Sequence, residues 1–105
     1  MDRYEISTLR AYYGALLTDK QDKMISLHYD EDMSYGEIAE MFEVSRNAVL
    51  DSIVKGVKHL EEYEASLRLV EKESKIDNML DDLLSVTTDT AVIDKVKEIK
   101  KILEG

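Results

Sequence analysis

The side chains best suited to contacting a ligand lie in one segment near the middle of the chain. Arg46 and Asn47 are the residue types that hydrogen-bond the edges of guanine and adenine. Leu50 could contact a thymine methyl group, although an exposed leucine fits a protein interface equally well. Basic residues further along could contact phosphates. The candidate nucleic-acid-binding residues are therefore Ser45, Arg46, Asn47, Leu50, Lys55 and Lys58.

These residues belong to a segment from Ser34 to Gly56 whose pattern predicts a complete helix-turn-helix. Ser34 followed by Glu37 forms a capping box, and Ser45 can cap a second helix that begins at Arg46. The apolar residues expected at the inner face and in the turn are Ile38, Ala39, Phe42, Val44, Val49 and Ile53. In DNA-binding versions of this motif the second helix enters the major groove.

The acidic balance of the chain opposes a simple DNA-binding interpretation. The net charge is −9, and residues 34–60 carry three basic against four acidic side chains. Nucleic-acid affinity comes largely from basic side chains that displace counterions from phosphates. Here Glu43 stands in the turn, where an acid discourages approach of a phosphate backbone, and Asp51 would repel phosphate. Any nucleic-acid binding must come from a local patch, and a basic protein partner is also compatible with this charge.

The composition predicts an all-α fold, since 44% of residues are hydrophobic and proline is absent. Helices are expected over about residues 4–17, from Asp19 after the capping box of Thr18 and Gln21, and over about residues 91–103. After Ser45, a phase change in the apolar stripe predicts a kink or short break near Ser74. We expect a helix-turn-helix domain of four helices over residues 1–60 and a C-terminal helical extension over residues 61–105.

The C-terminal extension carries more apolar side chains than an exposed tail would tolerate. The candidate dimerisation residues are Leu60, Leu67, Val70, Met79, Leu80, Leu83 and Leu84. Pairing of two chains through this stripe would give a two-fold homodimer, the commonest assembly. The alternative is a monomer whose final helix folds back over the stripe.

No catalytic or cofactor-binding constellation emerges from the residues. His28 and His59 lie far apart and are most simply surface imidazoles, and the acidic clusters lack the alternating ligands of a calcium loop. The absence of cysteine excludes disulfides and cysteine-based zinc sites. We expect no enzymatic activity, metal, cofactor or small-molecule substrate.

The hydropathy pattern favours a cytoplasmic protein. No stretch approaches the roughly 20 apolar residues needed to span a bilayer. The first residues include acids and an arginine and no apolar run of signal-peptide length. We therefore expect no membrane insertion.

Three segments together resemble the YlxM-type proteins of Gram-positive bacteria: Tyr12 to Gln21, Ser34 to Ile53 and His59 to Leu67. They cover the first two-thirds of the chain in order, and the motif core is also similar to region four of bacterial sigma factors. The resemblance implies a small all-helical cytoplasmic protein, often dimeric, with a proposed role in the signal recognition particle pathway. Genes of this family typically lie beside the gene of the particle's GTPase. It also implies that the helix from Ser45 to Ile53 is the nucleic-acid-reading element.

Two functions of different classes remain open. The first is an accessory protein of the signal recognition particle that binds its RNA or its GTPase. The second is a sequence-specific DNA-binding regulator, with Arg46 and Asn47 on bases and Lys55 and Lys58 on phosphates. The acidic balance favours the first, because the particle's RNA-binding protein domain and ribosomal proteins present basic surfaces.

Overall fold

The protein is built from helices, which confirms the predicted all-α fold. A computed structural model describes residues 2–105. The elements are α1 (Arg3–Tyr13), a 3-10 turn (Gly14–Leu16), α2 (Asp19–Tyr29), α3 (Tyr35–Phe42), α4 (Arg46–Leu67), α5 (Leu69–Val86) and α6 (Thr90–Glu104). Both predicted capping boxes are formed, at Thr18 with Gln21 and at Ser34 with Glu37, so these two helices begin where their side chains predict.

The described residues divide into two compact units, an N-terminal unit ending at Arg68 and a C-terminal unit of Leu69–Gly105. The boundary expected between residues 60 and 61 therefore falls inside α4. The predicted break near Ser74 is wrong, because α5 runs through that residue without interruption. The chain turns instead at Arg68, which adopts a left-handed conformation (φ 52°, ψ 35°) and donates its N–H to the Glu64 carbonyl oxygen at 2.8 Å.

The core of the N-terminal unit forms around one face of α4. This helix packs against α1, α2 and α3. The buried residues of α4 follow helical spacing. The apolar periodicity of the sequence predicted most of the core residues in the other helices. The buried side chains from the four helices and the 3-10 region include Ile6, Leu9, Tyr13, Leu17, Met24, Ile25, Leu27, Ile38, Val49, Ile53 and Leu60. The predicted first helix is corrected in length, since it ends at Tyr13 and leaves Leu16 exposed.

A glycine sets the distance between α4 and α2. A Cβ atom added to Gly56 would lie 2.6 Å from Cδ1 of Ile25 and 3.4 Å from Cβ of Gln21. Ile25 is itself fully buried, so its side chain has little room to move away. The close approach of these two helices therefore depends on the missing side chain of Gly56.

The C-terminal half of α4 is tied to the start of the chain. Tyr13 donates its hydroxyl hydrogen to Glu64 Oε1 at 2.5 Å, and the Tyr63 hydroxyl donates to the Leu16 carbonyl oxygen at 3.3 Å. Leu60, on the same side of α4 as Gly56, is 0% exposed. Leu60 was predicted to contribute to dimerisation, and this prediction is wrong because its side chain has no surface to offer a partner.

In the C-terminal unit α5 and α6 pack against each other. Lys100 Nζ lies 2.8 Å from a carboxylate oxygen of both Asp77 and Asp81, and these hydrogen bonds raise the pKa of Lys100 above its usual value. Across Leu69–Val86, all of which the structure describes, no side chain is fully buried. In α6 only Val96 is buried among the residues described. This unit therefore has a small core of its own.

The role of Gly56 can be tested against Gly36, another helical glycine, whose added Cβ would meet nothing closer than Ser34 Oγ at 3.9 Å. Gly56 lies in the interior of α4, where an alanine gains about 1 kcal/mol of helix propensity, whereas Gly36 is the second residue of α3 and gains no more than that. Overpacking against Ile25 should cost about 1–3 kcal/mol only in Gly56→Ala. Urea unfolding followed by circular dichroism should therefore place Gly56→Ala below Gly36→Ala in stability, by up to about 3 kcal/mol. Equal stabilities of the two variants would contradict the packing argument.

Candidate nucleic-acid interface

Helices α3 and α4 and the turn between them form a helix-turn-helix held together by its caps. The Ser34 hydroxyl accepts from the Glu37 N–H at 3.1 Å, and the Glu37 carboxylate accepts from the Ser34 N–H at 3.1 Å. Ser45 Oγ accepts from the Ala48 N–H at 3.0 Å, as predicted for the cap of α4. These bonds satisfy backbone donors that a helix start otherwise leaves unpaired.

The turn between the two helices is made by a residue in a left-handed conformation. Glu43 has φ 55° and ψ 45°, and its N–H donates to the Glu40 carbonyl oxygen at 3.3 Å. The Val44 N–H donates to the Ala39 carbonyl oxygen at 3.1 Å, which closes the end of α3. The Val44 side chain is half-buried, consistent with its predicted place inside the turn.

All six candidate nucleic-acid-binding residues are exposed. Lys55 is the least available of the cations, because its Nζ pairs with the Asp51 carboxylate at 3.1 Å on the same helix. Within the described part of the chain, Arg46 and Lys58 form no ion pair and the Asn47 side chain makes no hydrogen bond. The N-terminal turn of α4 thus presents a guanidinium and an amide to solvent.

The first turn of α4 differs from those of the other three helices of the N-terminal unit because it lacks a carboxylate. The first turns of the other three helices contain carboxylates: Glu5 in α1, Asp19 and Asp22 in α2 and Glu37 in α3. The first turn of α4 contains none and carries Arg46 instead. The helix dipole and the guanidinium therefore add, as an anionic ligand requires.

The first helix of the motif, α3, and the turn after it are acidic. Glu37, Glu40 and Glu43 are all exposed, and α3 contains no basic residue. Hydrogen bonding from the Ser34 backbone N–H, and then from its side chain, lowers the pKa of Glu37 and so favours the ionised carboxylate. When a helix-turn-helix docks on duplex DNA, its first helix crosses the phosphate backbone. Here that helix would bring carboxylates towards phosphates.

A groove beside α4 was not anticipated from the sequence. It has a volume of about 250 Å³ and is lined by Tyr29, Tyr35, Ile53, Val54, Val57, Lys58 and Glu61. The Tyr35 ring stacks on His28 with centroids 4.3 Å apart, and His28 Nδ1 donates to the Met33 carbonyl oxygen at 2.8 Å. The signal that could have revealed the groove is a second apolar stripe on α4, at Leu50, Val54 and Val57.

Within residues 2–105 no group of histidine, cysteine, aspartate or glutamate side chains is arranged to hold a metal ion. Across the same residues no helix is both long and apolar enough to cross a bilayer.

Comparison with known proteins shows which family the chain belongs to. Residues 1–102 match the model of the family UPF0122, described as helix-turn-helix, YlxM / p13 like. A UPF0122 protein of Clostridium perfringens (strain SM101 / Type A) is 38% identical over 103 residues, covering 98% of this chain and 90% of the relative. The UPF0122 protein YofM of Lactococcus lactis subsp. lactis is 42% identical over 100 residues, covering 94% and 90%. A Desulforamulus reducens UPF0122 protein is 41% identical over 108 residues, covering 96% and 92%.

The left-handed residue of the turn gives a test of the local geometry. Glu43→Gly should raise the free energy of unfolding by about 1 kcal/mol, because glycine adopts this conformation without the clash of a Cβ atom. The control is Glu40→Gly, which removes the same charge from the interior of α3 and should lower stability by about 1 kcal/mol. Urea unfolding of both variants measures the difference. Equal reductions in stability would show that the turn is not strained at Glu43.

Proposed function

Because this chain belongs to the UPF0122 family of YlxM / p13-like helix-turn-helix proteins, we propose that it is a non-enzymatic protein that binds nucleic acid through the N-terminal turn of α4. The observation that supports this is the exposed pair Arg46 and Asn47 at a helix start without a first-turn carboxylate. Arginine and asparagine are suited to guanine and adenine edges, and the helix start favours phosphate.

We expect the protein to contact only a few phosphates of the nucleic acid. Of the candidate residues, only Arg46, Lys55 and Lys58 are cationic, and Lys55 is already paired with Asp51. Neutralising two or three phosphates gives a slope of log affinity against log salt of about −2 to −3 on duplex DNA. The carboxylates of α3 disfavour its usual position across a phosphate backbone. We therefore expect a target that the N-terminal turn of α4 can contact without α3.

The biological setting that we propose is the cytoplasmic signal recognition particle, with this protein as an accessory factor that binds the particle's RNA or its GTPase. The resemblance to YlxM-type proteins supports this setting, and so does the net charge of −9, which suits a partner with basic protein surfaces. The alternative is a sequence-specific DNA-binding regulator. It is favoured by the base-reading residue types at positions 46 and 47.

We also propose that the C-terminal unit makes the protein a homodimer. Met79 is 70% exposed, and Leu83 is also exposed on the same helix. A unit of two helices with so few buried side chains has too little core to be stable without further cover. The proposed interface residues are Val70, Met79, Leu80, Leu83 and Leu84 of this unit and Leu67 at the end of α4, without Leu60.

The proposed binding of nucleic acid is tested by Arg46→Ala. If Arg46 makes two hydrogen bonds to one base, their removal in this variant should cost about 1–3 kcal/mol of binding free energy. Fluorescence anisotropy at one fixed salt concentration would measure binding to a bacterial signal recognition particle RNA and to random-sequence duplex DNA. Lys23→Ala removes one exposed positive charge from α2 and should change affinity far less. An unchanged affinity in Arg46→Ala would show that the helix-turn-helix serves only as a structural scaffold.

A charge introduced at Ser45, the cap of α4, provides a second test, in which the stability of the protein should not change. Asparagine and aspartate both cap helices as well as serine does. Ser45→Asp should weaken nucleic-acid binding, because a carboxylate then lies beside the proposed phosphate position, whereas Ser45→Asn should retain binding. Similar melting temperatures would confirm that both caps form. A similar affinity of the two variants would speak against phosphate at this helix start.

The homodimer is tested by mass. Static light scattering at micromolar concentration should give about twice the monomer mass of 12.1 kDa. Met79→Glu places a charge in the proposed interface and should return the mass to that of the monomer, whereas Tyr4→Glu, at an exposed position of α1, should not. A wild-type mass of 12.1 kDa that is independent of concentration would exclude the dimer.

A further inference from the structure

The two helices of the C-terminal unit form an antiparallel hairpin. Residues 87–89 are a short connection between α5 and α6. Lys100, in the last part of α6, pairs with Asp77 and Asp81 near the middle of α5. Helices that are joined so closely and still touch this far from the connection run in opposite directions. The hairpin therefore has a loop half, residues 78–96, and an open half, residues 69–77 and 97–105.

The exposed apolar side chains of this hairpin lie on one side of it. In both helices they stand one position before the less exposed residues along the seam between α5 and α6. Met79 precedes Leu80 in this way, and Ile102 precedes Leu103. One residue corresponds to about 100° of helix rotation, and because the helices run in opposite directions both rotations lead to the same side. The apolar face consists of Ile76, Met79, Leu83, Val86, Ile99 and Ile102.

The apolar face is large enough to form an interface with a second copy of the chain. Because α5 has 18 residues, the face is about 27 Å long. Two packed helices make it about 20 Å wide. Two copies would then bury about 1,000 Å² in total, the size at which specific interfaces begin. Val86 and Ile102 are each 79% exposed and Met79 is 70% exposed, so a single chain leaves the face open.

The charge of the hairpin changes along its length. The loop half carries one basic and four acidic side chains, a net charge of −3. The open half carries five basic and five acidic side chains, a net charge of 0. Two copies that paired with their loop halves together would place like charges side by side. Pairing in opposite directions places each loop half against an open half and avoids this repulsion.

The charges at the edge of the apolar face are complementary to themselves. Lys75 and Asp82 are exposed, lie one heptad apart and each precede a residue of the face in α5. When two α5 helices pair antiparallel about an axis near Met79, Lys75 of each copy lies opposite Asp82 of the other. Asp94 and Lys101 are related in the same way in α6. Charges beside an apolar seam select the direction in which helices pair.

We propose that two copies of this chain pair through the apolar face in opposite directions, with α5 packed on α5 and α6 packed on α6 in a four-helix bundle. The inference rests on the homodimer proposed above and specifies its contact surface and direction. Met79 and Leu83 belong to this face, and Ile99 and Ile102 of α6 extend it. The partner is a second copy because the edge charges of the face match their own sequence read in the reverse direction.

The direction of pairing can be measured by cross-linking single cysteines in the full chain, which has no cysteine of its own. In Met79→Cys the two thiols lie near the axis, so a short bifunctional maleimide should join the copies. Val86→Cys is the control, because its two thiols would be about 20 Å or more apart at opposite ends of the bundle. Val86 is the more exposed of the two residues, so random collisions would favour the control. Denaturing gels should show at least tenfold more cross-linked dimer for Met79→Cys. Equal cross-linking would overturn the proposal.

The edge charges give an independent test of the same proposal. Asp82→Lys places a lysine opposite Lys75 twice in each dimer and should weaken dimerisation by about tenfold, measured by sedimentation equilibrium. The double variant Lys75→Glu and Asp82→Lys has the net charge of wild type and should restore most of the affinity. Pairing of the loop halves would give the reverse, since Asp82→Lys would then relieve repulsion. A strengthened dimer, or no recovery in the double variant, would refute the antiparallel arrangement.

These outcomes separate the proposal from the homodimer on which it rests. A dimeric wild type with equal cross-linking of the two cysteine variants would retain the homodimer and remove the antiparallel pairing. A wild type that stays at 12.1 kDa would remove both. Circular dichroism of each variant checks that its helices are intact, so a loss of pairing is not mistaken for unfolding. The result of the Arg46→Ala test has no bearing on either.

Discussion

The contact between α4 and α2 at Gly56 is the constraint on which the N-terminal unit depends. A side chain at this position would meet Ile25, which is itself fully buried. The same face of α4 carries Val49, Ile53 and Leu60 into the core. The position of α4 against α2 then determines where its first turn projects. The exposure of Arg46 and Asn47 is thus a result of core packing as much as of their own polarity.

The helix-turn-helix combines two electrostatic environments over a short distance. Its second helix begins without first-turn acids and with Arg46, whereas its first helix and turn carry Glu37, Glu40 and Glu43. A protein adapted to track along duplex DNA would be expected to place basic residues on both helices. This distribution, together with the net charge of −9 and the resemblance to YlxM-type proteins, is why we propose a ribonucleoprotein as the target.

Much of the fold could be predicted because helix starts are encoded locally. Ser34, Ser45 and Thr18 cap their helices through bonds within three residues, and such bonds depend little on the rest of the chain. The turn at Arg68 could not be predicted, since a left-handed conformation at arginine has no signature in residue type. The burial of Leu60 was also missed. Its place in an apolar stripe was correct, but which side of a long helix faces the core depends on distant residues such as Ile25 and Tyr13.

The tyrosine bonds at the far end of α4 have a thermodynamic consequence for whatever the helix binds. Tyr13 and Tyr63 connect α4 to the first part of the chain through Glu64 and the carbonyl group of Leu16, well beyond the helix-turn-helix. A helix fixed along its length loses little conformational entropy when its tip engages a ligand. Association through α4 should therefore approach rigid docking, with selectivity arising from the shape and charge of the target and not from folding upon binding.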